Sequence, residues 1–144
     1  MGKGHVLKGC LPWAVALMCF PAAGVAAVGQ EAARREVQTY CSPCHARDGQ
    51  GQGALANQLK SPPPDLTKLS KRAGGTFPAK QVRLKIEGLE MPAAHGTSEM
   101  PVWSKWFVQE ELQGSTELSD AGKAARETDA RIARLVRYLE SIQD

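Results

Sequence analysis

The chain has 144 residues, of which 42% are hydrophobic and 23% are charged, and its formal net charge is only +3. A length of this order fits one compact domain, and the sequence has no internal repeat that would indicate a second module. The small net charge and the lack of a long basic stripe exclude the usual kind of nucleic-acid-binding surface.

The first 27 residues have the order of a secretory signal peptide. Two lysines precede an apolar run from Cys10 to Pro21, and a stretch of small residues follows. The run is shorter than the roughly twenty residues of a membrane-spanning helix, so we expect cleavage near Ala26 or Ala27, with a retained anchor as the alternative. The mature domain would then be 28–144, and loss of the two lysines would lower its formal charge from +3 to +1.

A first helix is predicted just before the cysteine-containing segment. Residues Glu31–Tyr40 are rich in helix formers, and Ala33, Val37 and Tyr40 recur at helical spacing. This helix would deliver the chain directly into Cys41-Ser42-Pro43-Cys44-His45.

The pattern Cys41-x-x-Cys44-His45 is the strongest chemical signal in the sequence. Two thiols three positions apart can each add to one vinyl group of a porphyrin, and the adjacent imidazole can then reach the iron. The pattern therefore predicts one covalently attached haem c, with His45 as an iron ligand.

Three other interpretations of these cysteines exist. A thioredoxin-like dithiol belongs between a strand and a helix, and no strand pattern stands out in the sequence. A zinc site needs two further ligands, but the other two cysteines fall in the signal peptide, which leaves only His95. A disulfide between Cys41 and Cys44 would close a very short loop and give no role to His45. Haem attachment explains all three motif residues.

Three short helical segments are predicted in the middle of the chain. Asp65 can cap a turn that continues to Lys71. A helix of about ten residues follows Thr76-Phe77-Pro78 and ends at Gly88, because proline is tolerated near a helix start and glycine is favoured just after a helix end. A brief helix over Val102–Gln109 is the third. Loops rich in glycine and proline lie between these segments, at Arg47–Gly53, Ser61–Pro64 and Gly88–Gly96.

The clearest helix is at the carboxyl end of the chain. Thr128 or Asp129 is predicted to cap its start, and the polar segment 109–126 before it is predicted to be an inserted loop. Its apolar face would consist of Ile132, Leu135, Val136, Leu139 and Ile142. Its solvent-exposed face would consist of Arg131, Arg134, Arg137 and Glu140.

An electron-transfer haem needs a second axial ligand opposite His45, and a methionine thioether favours the reduced iron. Outside the signal peptide the candidates are Met91, His95 and Met100. Met100 is favoured because its distance from His45 lets the chain pass around the ring. The segment Pro101-Val102-Trp103 would also stiffen the loop and add an aromatic plane. The other two residues, and an open or water-bound iron, stay as alternatives.

Taken together, these segments resemble the class I cytochrome c family, in particular its bacterial monohaem members, over nearly all of 28–144. Ala46 is a departure, because family members often have glycine directly after the histidine, and we expect its effect to be small. The matching stretches are Cys41-x-x-Cys44-His45 with Asp48-Gly49-x-Gly51-x-Gly53, Pro62-Pro63-Pro64-Asp65-Leu66-Thr67, Gly75-x-Phe77-Pro78 with Ile86-x-Gly88, His95-Gly96-x-x-x-Met100-Pro101-x-Trp103, and Leu135-Val136-x-Tyr138-Leu139.

The resemblance implies an all-α cytochrome c fold, with four to five short helices wrapped around one haem c. It implies that a carbonyl of the proline-rich loop accepts a hydrogen bond from the His45 ring, and that the terminal helix crosses the first one. The cofactor-binding residues would be Cys41, Cys44, His45 and Met100, of which His45 and Met100 bind the iron as metal ligands.

The expected function is single-electron transfer in the bacterial periplasm. Such a carrier performs no bond chemistry, so we expect neither enzymatic activity nor catalytic residues. Other redox proteins would serve as donor and acceptor, docking transiently on a monomer that binds no nucleic acid and has no membrane anchor. The alternatives are a haem c subunit of a larger oxidoreductase and a haem sensor or peroxidase in which the sixth iron position opens.

Overall fold

A computed structural model describes residues 23–89, 99–114 and 118–144. Within these ranges there is no β-strand, and a π-helical turn (Val37–Cys41) and two 3₁₀ turns (Ala56–Gln58 and Leu66–Lys68) accompany six α-helices. These are α1 (Ala23–Glu36), α2 (Ser42–His45), α3 (Leu69–Arg72), α4 (Ala79–Glu87), α5 (Trp103–Glu111) and α6 (Leu118–Ser141). The predicted all-α class is confirmed for the described part of the chain.

Some of the sequence predictions lie outside the described residues. They concern 1–22 of the predicted signal peptide and two of the three candidate second ligands, Met91 and His95. In the described ranges, no helix combines the length and the apolar character that a membrane span requires.

Helix α6 forms the centre of the fold and packs against α1, α4 and α5. Its predicted apolar face is confirmed, because Ile132, Leu135, Val136 and Leu139 are buried, while Ile142 is half-buried at the edge. Burying each side chain of this size contributes about 1.5–3 kcal/mol to folding, so this helix supplies much of the hydrophobic core. Val37, Leu66, Ile86 and Phe107 complete the core from the other segments.

The predicted start of the terminal helix is wrong. Helix α6 begins at Leu118, so Thr128 and Asp129 lie in its interior and do not cap it, and 118–126 is helix and not an inserted loop. The reason is a buried stripe at four-residue spacing, formed by Ala124, Thr128 and Ile132, which are 3%, 4% and 1% exposed. The first two residues of this stripe are small or polar, so a search for large apolar side chains misses the early part of the helix.

Helix α1 and the following π-helical turn carry the chain into the cysteine motif. The predicted apolar stripe of this segment is confirmed, with Ala33 and Val37 buried and Tyr40 half-buried against the core. The turn ends at Cys41, where the backbone N–H of Ser42 donates to the Val37 carbonyl. A π-helical turn inserts an extra residue into the helical register, and here it directly precedes the motif.

The middle segments form as predicted. Helix α4 ends at Gly88, whose φ of 74° is left-handed, and the N–H of Leu89 donates back to the Leu84 carbonyl. The Asp65 carboxylate caps the 3₁₀ turn Leu66–Lys68 by accepting from the backbone N–H and the hydroxyl of Thr67, at 2.9 and 2.7 Å. These hydrogen bonds, with Lys68 nearby, lower the pKa of Asp65 to about 2.

Arg131 does not lie on the solvent-exposed face where the sequence predicted it. The residue is only 9% exposed, and its guanidinium carbon lies 3.9 Å from the centre of the Phe107 ring. Its Nη1 donates to Glu110 at 2.9 Å, and its Nε lies 3.2 Å from a Glu36 carboxylate oxygen as an ion pair without hydrogen-bond geometry. Arg131 is buried because carboxylates from α1 and α5 both face it, and a buried charge needs such partners.

Arg131 should therefore be the most sensitive charged residue of α6. The substitution Arg131→Ala removes the cation that pairs with both Glu36 and Glu110, and we expect a loss of about 2–4 kcal/mol in the free energy of unfolding. Urea denaturation followed by circular dichroism measures it.

Arg134→Ala is the matched control. The Arg134 side chain is 34% exposed and its Nη2 lies 3.8 Å from Glu36, so we expect a loss of about 0.5 kcal/mol or less. Equal losses in the two variants would contradict the importance of the Arg131 ion pairs.

Candidate functional site

The described residues surround a cavity of about 790 Å³. This volume falls within the roughly 300–1,000 Å³ that is typical of ligand and cofactor pockets. The four residues predicted to bind a cofactor, Cys41, Cys44, His45 and Met100, all line it. The fold thus brings the motif and a methionine more than fifty positions away to one space. Apolar side chains line much of the rest, among them Val37, Leu66, Ile86, Leu135 and Leu139.

Both motif cysteines are half-buried and free, with no disulfide between them. Burial, with smaller contributions from the nearby Cys44 and Glu36, raises the pKa of the Cys41 thiol to about 12. Cys41 is therefore a neutral thiol at physiological pH, in contrast to the low-pKa thiolate of a thioredoxin-like dithiol. The motif also consists of the last residue of the π-helical turn and helix α2, and it follows a helix and not a strand.

His45 is buried, and its ring nitrogen Nδ1 lies 3.0 Å from the carbonyl oxygen of Pro64. A carbonyl oxygen can only accept, so Nδ1 carries the proton and donates it. Burial lowers the pKa of His45, and the hydrogen bond to Pro64 offsets part of this effect. A neutral ring protonated at Nδ1 keeps a lone pair on Nε2, which is the form that binds a metal. This is the hydrogen bond that the family resemblance implied.

The glycine-rich loop after the motif folds back onto α2. The N–H groups of Gly51, Gly53 and Leu55 donate to the carbonyls of His45, Cys44 and Pro43 at 2.9, 3.0 and 2.8 Å, respectively. These carbonyls belong to a helix end and have no partner within the helix. The loop therefore satisfies them and fixes the position of the motif.

Gly51 lets the proline-rich segment approach this loop closely. Its φ is +83°, and a Cβ built on it would lie only 2.2 Å from the carbonyl oxygen of Pro63. Both the backbone conformation and the lack of space require glycine at this position. The neighbouring Pro64 accepts the His45 hydrogen bond, so this close approach helps to set the orientation of the ring.

The expectation that Ala46 has little effect is wrong. Its φ of 63° and ψ of 167° lie in a region that glycine occupies almost exclusively, and such a residue stores about 1–3 kcal/mol of strain. The strain persists because the chain must leave α2 and return immediately through the glycine loop. Alanine is therefore a strained residue at this position.

Met100 reaches the cavity from the segment before α5. It is half-buried and packs against the hydrophobic core. Trp103 also lines the cavity, and its ring stacks on Phe107 and forms a T-shaped pair with Tyr40, at centroid distances of 5.8 and 5.6 Å. An aromatic ring therefore lies at the cavity that Met100 lines.

Two carboxylates at the cavity went unnoticed in the sequence, Glu36 and Glu99. Glu36 faces Arg131, and Glu99 accepts from two backbone N–H groups of the proline-rich loop. The position of Glu99 directly before Met100 was the only available signal. The residues that contact Glu36 and Glu99 are remote from them in the sequence, so no local pattern could identify these two carboxylates.

The donor set fits a haem iron with covalent attachment. Two thiols, an imidazole whose Nε2 keeps its lone pair and a thioether line one cavity, and imidazole with thioether is the ligand pair of an electron-transfer haem. The zinc alternative gains no support, because no three His, Cys, Asp or Glu side chains converge as a metal site among the residues that the structure covers.

The steric role of Gly51 can be separated from backbone strain. We expect Gly51→Ala to lower the free energy of unfolding by about 2–4 kcal/mol, because the methyl group collides with Pro63. Gly74→Ala is the control, since Gly74 has a similar φ of +81° with nothing within 4 Å of a built Cβ, and should lose only about 1 kcal/mol. Thermal denaturation compares them, and equal losses would exclude the steric explanation.

Ala46→Gly should stabilise the protein. Relief of the strained φ exceeds the greater chain entropy of glycine in the unfolded state, and we expect a gain of about 1 kcal/mol. The control Ala130→Gly places the same change on the exposed surface of α6, where it should cost about 1 kcal/mol. Denaturation midpoints measure both, and a loss of stability in Ala46→Gly would show that the residue is unstrained.

Comparison with known proteins adds no relative to this description. No family model matches the chain, and neither a curated protein nor a solved structure matches it significantly. The membership of the class I cytochrome c family indicated by the motifs therefore stays a prediction.

Proposed function

We propose that this chain is a c-type cytochrome that carries single electrons. One haem c would be attached through thioether bonds to Cys41 and Cys44, with His45 and Met100 as its axial ligands. The all-α chain would then adopt a cytochrome c fold around the haem.

The observation that carries the proposal is the convergence of all four residues on one largely apolar cavity. The attachment motif alone concerns five consecutive residues and requires no particular fold. That a methionine from a distant segment lines the same cavity is a separate fact. Motif and tertiary structure thus support the same cofactor.

His45 would act as a fixed ligand. Its hydrogen bond to Pro64 holds the ring in one orientation and leaves Nε2 as the donor atom. Because burial lowers its pKa, the ring is neutral at physiological pH and no proton competes for Nε2.

Met100 and the apolar walls would favour electron transfer over ligand exchange. When bound, the haem supplies a one-electron iron couple, and a thioether ligand favours its reduced state. Apolar side chains such as Ile86 and Leu135 line the cavity and would exclude water from it, and Trp103 and Pro101 would stiffen the methionine segment. With both ligands held, little reorganisation would accompany each electron transfer.

We also propose where the protein acts and which kind of partner it meets. The signal-peptide pattern supports export, and covalent haem attachment suits a periplasmic location. Donor and acceptor would be other redox proteins that dock transiently on a monomer. We propose no enzymatic activity.

An absorption spectrum of the exported protein, produced in a host that attaches haem, tests cofactor and ligation. By mass spectrometry we expect a mass increase of one haem per chain. In the absorption spectrum of the oxidised protein we expect a methionine-to-ferric charge-transfer band. The band should vanish in Met100→Ala, whose reduction potential should also fall, because the thioether that favours reduced iron is lost. Met91→Ala is the matched control and should keep the band.

Three outcomes would contradict the proposal. A bare polypeptide mass would exclude haem attachment. A band that is lost in Met91→Ala and kept in Met100→Ala would show that Met91, and not Met100, is the second ligand. Rapid binding of carbon monoxide by the reduced wild-type protein would indicate an open-site sensor or peroxidase and not an electron carrier.

A further inference from the structure

The carboxylate of Glu99 joins the methionine segment to the proline-rich loop. One of its oxygens accepts from the backbone N–H of Lys60 at 2.7 Å, and the other accepts from the N–H of Ser61 at 3.1 Å. Hydrogen bonds to an ionised carboxylate are roughly twice as strong as those between neutral groups. Both oxygens are used, so the contact also restricts the direction of the side chain.

This contact lies at the cavity where the cofactor is proposed to bind. Lys60, Ser61, Glu99 and Met100 all line it. Glu99 is covalently adjacent to Met100, so a restraint on its carboxylate acts within one residue of the thioether. The segment that holds Glu99 therefore also influences where Met100 can lie.

The loop that donates to Glu99 is itself held from the histidine side. Its far end is Pro64, whose carbonyl accepts from His45, and the N–H of Leu66 donates to the Gly49 carbonyl at 2.7 Å. Three consecutive prolines, 62–64, fix φ along the segment between these points. Glu99 thus anchors the methionine segment to a stiff part of the chain.

We propose that Glu99 is a positioning residue that holds Met100 in the cavity and so keeps the sixth iron position closed. This inference rests on the proposed function. The loop 60–64 links the two ligands, because it contacts His45 at one end and the residue next to Met100 at the other.

The chemistry of the contact predicts a graded series of variants. Glutamine keeps the length of the side chain but has one acceptor oxygen, so Glu99→Gln can satisfy one of the two donors well. Glu99→Ala satisfies neither. Glu140→Ala is a control for the loss of a carboxylate, because Glu140 is exposed on α6 and far along the chain from the ligand segments.

The test uses the haem-loaded proteins and measures the rate at which the reduced form binds carbon monoxide. We expect the rate to rise at least about tenfold in Glu99→Ala, to a smaller extent in Glu99→Gln, and not at all in Glu140→Ala. The methionine-to-ferric charge-transfer band should weaken in the same order. Melting temperatures are recorded for all variants.

The outcomes separate this inference from the proposed function. A wild-type chain without haem overturns both. A wild type with haem and the methionine band, together with Glu99 variants that keep the wild-type rate and band, overturns the role of Glu99 alone. A lower melting temperature with an unchanged rate and band also overturns it, because Glu99 would then act only on overall stability.

Discussion

The hydrogen bond from His45 to the Pro64 carbonyl is the contact on which the geometry of the site depends. It determines which ring nitrogen keeps its lone pair, and it joins the turn that carries both cysteines to the proline-rich segment. The contact requires the glycine loop to pass beneath that segment, which Gly51 allows because it has no side chain. The strained backbone of Ala46 is a consequence of the same tight return of the chain.

Helix α6 and the cluster around Arg131 form the frame behind this site. The helix contributes Leu135 and Leu139 to the cavity wall, and Arg131 lies against the ring of Phe107, which lines the same cavity. The Tyr40 hydroxyl donates to Glu110 at 2.8 Å, so this hydrogen bond connects the aromatic wall of the cavity to the ion pairs of Arg131. Stability of the fold and shape of the cavity therefore depend on the same contacts, and α1, α5 and α6 each contribute to both.

Much of the fold could be predicted from the sequence, because its signals are local. The cysteine motif, the end of α4 at Gly88, the cap at Asp65 and the apolar face of the terminal helix each depend on residues within a few positions of one another. Helical spacing and capping act over one or two turns, so a linear pattern contains the information. The identities of the two thiols, the imidazole and the candidate thioether are also fixed by the sequence alone.

Features that depend on residues remote in the sequence were decided only by the tertiary structure. Arg131 is buried because Glu36 and Glu110 approach it from other helices, and the early part of α6 contributes Ala124 and Thr128 to the buried surface. The contact of Glu99 with Lys60 and Ser61 spans almost forty positions. By itself, the sequence determined which chemical groups are present and most of the helices that carry them. Only folding decided which groups meet, because burial and charge pairing depend on neighbours that are close in space and remote along the chain.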